Sequence, residues 1–95
     1  MTGVALSAVA VEDLDRLILT HSLPADTRAR VRRSLQPLEQ FPRLGSKLPG
    51  SWSPLRFVLG PWRWLLLVYY CEEQDDRLTV VTIQDARSSS AATPT

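Results

Sequence analysis

Arg56, Arg63 and Arg87 stand in or beside stretches that are otherwise apolar: Leu55-Arg56-Phe57-Val58-Leu59, Trp62-Arg63-Trp64-Leu65 and Ile83-Gln84-Asp85-Ala86-Arg87. A guanidinium stays protonated at neutral pH and donates two parallel hydrogen bonds to a phosphate, so arginines converging on one sheet face describe anion binding. If Gly60 and Pro61 alone form the turn between two strands, Leu59 faces Trp62, Val58 faces Arg63 and Arg56 faces Leu65. Arg56 and Arg63 then share a face as diagonal neighbours, roughly 7 to 8 Å apart. A three-residue loop inverts that parity. The alternative is that each arginine pairs with an Asp or Glu at the sheet rim. Arg87 after the last strand and Lys47 in the preceding loop extend the basic set. The pattern is that of a nucleic-acid ligand, with no acidic pair, histidine or thiol arranged for acid-base or nucleophilic work.

His21 is the only histidine and Cys71 the only cysteine, so neither an internal disulfide nor a zinc-spaced cluster is expected, and no metal or cofactor is called for. His21, at the end of a helix, suits a surface role beside the helix dipole, and Cys71 suits sheet filling. Trp62 and Trp64 alternate with Arg63 and are expected to pack under the helices, while Trp52, in a loop, is a candidate for base stacking. Net charge is +1, but Arg28, Arg30, Arg32 and Arg33 crowd one segment while Glu72, Glu73, Asp75 and Asp76 crowd another. The helix arginines suit a solvated face or an anionic partner. No apolar stretch reaches the roughly 18 to 20 residues that span a bilayer, and no export signal opens the chain; a cytoplasmic setting without a membrane partner is expected.

The elements that must position these residues follow from periodicity. The 95 residues suffice for one small domain, and 44% apolar with 22% charged residues fits a globular chain. Val4 to Ser7 is a short strand candidate; from Ala8, Ala10, Leu14, Leu17 and Ile18 recur at helical spacing to about His21. Leu23-Pro24 breaks that helix. Asp26 or Thr27 caps a second helix with the stripe Val31, Leu35 and Leu38, which Pro37 kinks or ends and Pro42 terminates. Gly45, Pro49, Gly50 and several serines make residues 43–54 a loop. Three strands come next, the second apolar on both faces from Trp64 to Cys71 and the third running from Arg77 to Gln84. The expected architecture is α+β, with an N-terminal strand, a helical hairpin and a three-stranded antiparallel meander in one small sheet. The helices cover one face, leaving the other for a ligand. The domain spans 1–87; the polar residues 88–95 are expected to form a disordered tail.

Element order and residues together resemble the RelE/ParE superfamily of bacterial type II toxins. The resemblance is carried by Ala10-Val11-Glu12-Asp13-Leu14, Arg30-Val31 with Leu35 and Leu38, Pro42, Gly45, Leu48-Pro49-Gly50, Leu55-Arg56, Gly60-Pro61-Trp62-Arg63 and Ile83 to Arg87. It implies a toxin neutralised by a cognate antitoxin. For the RelE-like branch it implies metal-free cleavage of messenger RNA on the ribosome, the 2′-hydroxyl attacking the adjacent phosphate. Arg63 then resembles the strand arginine at the scissile phosphate, Arg56 a basic residue one strand back, and Arg87 the arginine after the last strand; Lys47 and Trp52 are candidate RNA contacts. The chain departs from that branch in having serines rather than a tyrosine after Arg87, Ala86 where another basic residue is common, and Leu66 for a strand aromatic. A ParE-like protein that inhibits DNA gyrase by binding it, or a degenerate toxin that only binds antitoxin, are the alternatives.

Overall fold

The apolar stripes of two helices and the two-faced apolar strand Leu65 to Glu72 determine how the chain closes. The computed structural model describes residues 3–52, 54–72 and 76–87, excluding the Trp52 side chain; the expected tail at 88–95 and the tip of the acidic connection lie outside them. The elements are β1 (Gly3–Leu6), α1 (Ala8–Thr20), α2 (Thr27–Leu35), a 3₁₀ turn at Gln36–Glu39, β2 (Ser46–Lys47), a second at Gly50–Trp52, β3 (Arg56–Leu59), β4 (Leu65–Glu72) and β5 (Arg77–Asp85). They form one five-stranded sheet in the order β1-β5-β4-β3-β2. β1 runs parallel to β5 and the other neighbours are antiparallel. The α+β expectation holds with one added strand, because Ser46 and Lys47 pair with Phe57 and Arg56 rather than lying in a loop.

Ser7 starts α1. Its hydroxyl oxygen accepts from the Ala10 N–H at 3.1 Å while its O–H donates to the Val81 carbonyl at 3.0 Å, tying the helix start to β5. Ser7→Ala removes both and is expected to cost about 1 to 2 kcal/mol, read as a lower midpoint in denaturant unfolding with an unchanged slope. At the other end, Ser22 takes a φ of 50° and the Leu23 N–H returns to the Ile18 carbonyl at 3.0 Å, closing the helix as a left-handed cap does. The buried Thr27 hydroxyl donates to the Pro24 carbonyl and fixes the corner between helices. Val31, Leu35 and Leu38 are all buried as their spacing predicts, and Pro37 opens the 3₁₀ turn where α2 stops.

The main core joins Ala10, Leu14, Val31, Leu35 and Leu38 of the helical layer to Leu65, Leu67, Tyr69, Leu78, Val80 and Ile83 of the sheet. A bulge in the β4–β5 ladder at Val68/Tyr69 keeps Tyr69 opposite Val80. The second sheet face is not the open ligand surface that the sequence suggests. Leu66 and Val68 there are buried under Leu48, with Leu55, Phe57, Val81 and Ala86 packed around them, because the segment before β3 folds back across the face. No helix among the described residues is long and apolar enough to cross a membrane.

Candidate functional site

The connection from β3 to β4 decides where the arginines go. A two-residue hairpin turn needs positive φ at its first central residue, yet Gly60 does not take one; among the described glycines only Gly50 does. The turn therefore widens to residues 60–64, closed by Gly60 N–H to the Leu65 carbonyl at 2.8 Å and Leu65 N–H to the Trp62 carbonyl at 3.1 Å. The ladder pairs Leu59 with Leu66, Val58 with Leu67 and Arg56 with Tyr69. The shared face deduced for Arg56 and Arg63 is thus corrected: Arg63 is not in the ladder at all.

Arg56 lies on the helix side with Tyr69. Its Nη1 donates to the Gly45 carbonyl at 2.8 Å and to the Arg43 carbonyl at 3.3 Å, which makes it a clasp on the loop before β2. The Gly45 N–H in turn donates to the Tyr69 hydroxyl at 2.8 Å in a buried bond. Burial pushes the Tyr69 phenol up, and it pushes the neighbouring Cys71 thiol up as well. Cys71 donates through Sγ to the Pro42 carbonyl at 3.1 Å and is a packing residue. Lys47, exposed on β2, sits opposite Arg56. This pair is separated from the start of the turn by the length of β3, roughly 13 Å.

Arg63 and Arg87 lie on the two segments joined at the other end. The Ala86 N–H donates to the Trp64 carbonyl at 2.6 Å and pins the chain after β5 to the turn. Trp62 and Trp64 stack with ring centroids 5.7 Å apart and planes 14° from parallel, and both pack on the helix-side core as their alternation predicts. The Arg87 guanidinium lies 4.3 Å from the Trp64 ring. It also grips Asp85, Nε to Oδ1 at 3.0 Å and Nη2 to Oδ2 at 3.1 Å, with its own N–H adding a bond to Oδ1 at 2.8 Å. The rim alternative therefore holds for Arg87. Arg63 is exposed and makes no hydrogen bond or ion pair among the described residues.

Sequence reasoning missed Asp85 and the partner of His21. His21 Nε2 is 3.3 Å from Asp85 Oδ2 and its ring is 5.2 Å from Trp64, so the carboxylate orients both a histidine and an arginine over one indole. The signal was an Asp and an Arg two apart at a strand end; what it lacked was the fold that brings in a histidine from α1. The Arg87 hydrogen bond holds the Asp85 carboxyl below its usual range, with smaller help from the Arg87 and His21 charges, and Arg87 is pushed up in return. A carboxyl depressed in the folded state contributes stability above the ordinary carboxylate pKa of about 3.9 and loses it as pH falls through the lower folded value. Asp85→Asn is accordingly expected to lower Tm by a few degrees at neutral pH, the two Tm curves converging as pH falls through the lowered Asp85 value.

No protein-family model matches the chain, and no curated protein matches it in sequence. Solved structures do match. A copper-bound mutant toxin from Helicobacter pylori is 21% identical, with 90% of this chain and 94% of that one covered and a TM-score of 0.67. A chain of the chromosomal ParDE system from P. aeruginosa is 13% identical over 92% and 98%, TM-score 0.69. The isolated E. coli RelE toxin is 16% identical over 95% and 89%, TM-score 0.69. A parallel β1–β5 pair, a helical hairpin on one face and an antiparallel β3–β4–β5 meander, matched over nine-tenths of the chain, give this protein the same fold as the E. coli RelE toxin and the P. aeruginosa ParDE chain.

Proposed function

We propose that the protein is the toxin of a type II toxin–antitoxin pair and that it cleaves messenger RNA on the ribosome, the 2′-hydroxyl attacking the adjacent phosphate and Arg63 neutralising the charge that develops. The observation that carries this reading is the state of Arg63: exposed, unpaired among the described residues, and held on a turn braced by the Trp62–Trp64 stack. A protonated fork with no internal partner is free to bind phosphate oxygens in the transition state, and the turn that carries it is braced before substrate arrives. Arg87 stays part of the proposal as a second cation at the same end; Asp85 must share it with any phosphate. Lys47 and Arg56, at the far end of β3, serve as backbone contacts for a bound strand rather than at the scissile bond.

An antitoxin is the expected partner, since the solved structures of this fold include the E. coli RelBE toxin–antitoxin complex, 12% identical with a TM-score of 0.68. Tightly controlled expression followed by primer extension tests the function. Codon-positioned cuts in translated messages support it, whereas growth arrest without cuts sinks it. The second reading, a non-enzymatic gyrase inhibitor, is favoured by the commitment of Arg56 and Arg87 to internal partners. Loss of supercoiling by purified gyrase on addition of the protein is its signature.

A further inference from the structure

We infer that His21 is the proton acceptor for the 2′-hydroxyl, held by Asp85 beside a phosphate bound on Arg87; the inference rests on the cleavage reading above, which names no group to take that proton. In the sequence no histidine stands near the basic strands, but the fold closes the distance. The Ala86 N–H bond to the Trp64 carbonyl pins the end of β5 to the turn, and the end of α1 brings the His21 ring to the same indole. His21 Nε2 and Arg87 Nη2 reach one and the same oxygen, Asp85 Oδ2, at 3.3 and 3.1 Å. These two nitrogens are therefore no farther apart than the two contacts laid end to end. The Asp85 side chain is 13% exposed, against 31% for His21 and 58% for Arg87, so the carboxylate is covered while both of its partners face outward.

A histidine that closes a helix complements the dipole, and that accounts for its place at the end of α1. It does not account for a carboxylate shared with an arginine. Arg87 already matches the Asp85 charge with two side-chain hydrogen bonds, so the imidazole is held there as a neutral donor. With the ring proton on Nε2 and given to Asp85, Nδ1 carries the lone pair, and it has no partner among the described residues. A carboxylate that fixes the tautomer of a base acts in this way. Arg87 uses Nε and Nη2 on Asp85, which leaves Nη1 to donate to a nonbridging phosphate oxygen. Among the described residues, the charged groups facing the imidazole are Asp85 and Arg87, both from the end of β5, while the turn contributes the uncharged Trp64 ring. In the step inferred, Nδ1 takes the 2′-hydroxyl proton as the O2′–P bond forms. The P–O5′ bond breaks, the leaving oxygen takes a proton from water, and the products are a 2′,3′-cyclic phosphate and a 5′-hydroxyl.

Single-turnover cleavage in a reconstituted translation reaction from about pH 6 to about pH 8 tests this, because histidine is the side chain that ordinarily titrates in that range. The quantity read is the ratio of wild-type to variant rate, in which any pH dependence of the ribosome cancels. His21→Gln keeps an N–H donor for Asp85 and has no titrating group. At the top of the range it should be slower than wild type by about 10²-fold. A base works only when unprotonated, so the ratio should shrink as pH falls, approaching tenfold per pH unit at the acid end. His21→Ala should regain part of its rate when imidazole is added, whereas wild type and Arg63→Ala should not respond. Thermal unfolding alongside shows that each variant is folded. A wild-type rate for His21→Gln overturns the inference, as does a loss that is equal at every pH and unanswered by imidazole, which is what a histidine that only braces Asp85 and Trp64 would give. Both of these outcomes leave the ribonuclease standing, because the wild type still cuts. A wild type that cuts no transcripts removes the ribonuclease and the inference with it.

Discussion

Arg63→Ala should reduce messenger cleavage by about 10²- to 10³-fold and leave the fold intact. The rate loss is the magnitude found when one prepositioned donor to a developing oxyanion is removed. Stability should change by no more than about 0.5 kcal/mol, because the side chain touches nothing that would be left unpaired. Arg63→Lys keeps the charge and loses the two-pronged donor, so it should fall between the two. Arg56→Ala should show the opposite profile: the carbonyls of Gly45 and Arg43 lose their donor, and stability suffers before rate does. Single-turnover cleavage in a reconstituted translation reaction, with thermal unfolding alongside, reads both quantities. Wild-type cleavage by the Arg63→Ala protein would remove Arg63 from the chemistry.

The helical layer was legible in the sequence because periodicity is a local signal. Val31, Leu35 and Leu38 repeat at helical spacing and are buried, and Trp64 to Cys71 announces a strand apolar on both faces. The sheet register was not legible. It depends on the φ angle at Gly60, and a glycine followed by proline is compatible with turns of either length; pairing Leu59 with Leu66 in place of Trp62 shifts the register by four residues, which moves Arg63 out of the ladder and sets Arg56 opposite Tyr69 in place of Leu65. The site was half legible for a related reason. Arg63 and Arg87 are conspicuous as cations in apolar context, whereas the His21–Asp85 contact joins residues from α1 and β5 that no sequence window spans. Two-residue β2 was hidden by its brevity, and with it the pairing of Lys47 with Arg56.

Gly45→Ala should be the most damaging small substitution in the described chain. A Cβ at this buried position would lie 2.5 Å from both the Phe57 carbonyl oxygen and the Tyr69 hydroxyl, and 2.8 Å from Tyr69 Cε1. None of these can yield cheaply: the first is β3 backbone, and the phenol is fully buried and is the acceptor for the Gly45 N–H itself. Overpacking of about 1 to 3 kcal/mol adds to a buried hydrogen bond whose loss costs a further 1 to 3, so about 3 kcal/mol in total is a conservative expectation, or roughly 12 to 24 °C in Tm. Gly3→Ala, with nothing within 4 Å, should be nearly silent. Gly50→Ala, also in open space but at a φ of 61°, should cost only about 1 to 2 kcal/mol of backbone strain. The order Gly45, then Gly50, then Gly3 separates close packing from conformational freedom as the reason for each glycine. Tyr69→Phe combined with Gly45→Ala should recover only the part owed to the hydroxyl clash, because the Phe57 carbonyl and the ring Cε1 stay in place and the buried residue-45 N–H has no acceptor. Full recovery would mean that the tyrosine alone, and not the β3 backbone, holds this loop against the sheet and sets the position of the Arg56 clasp.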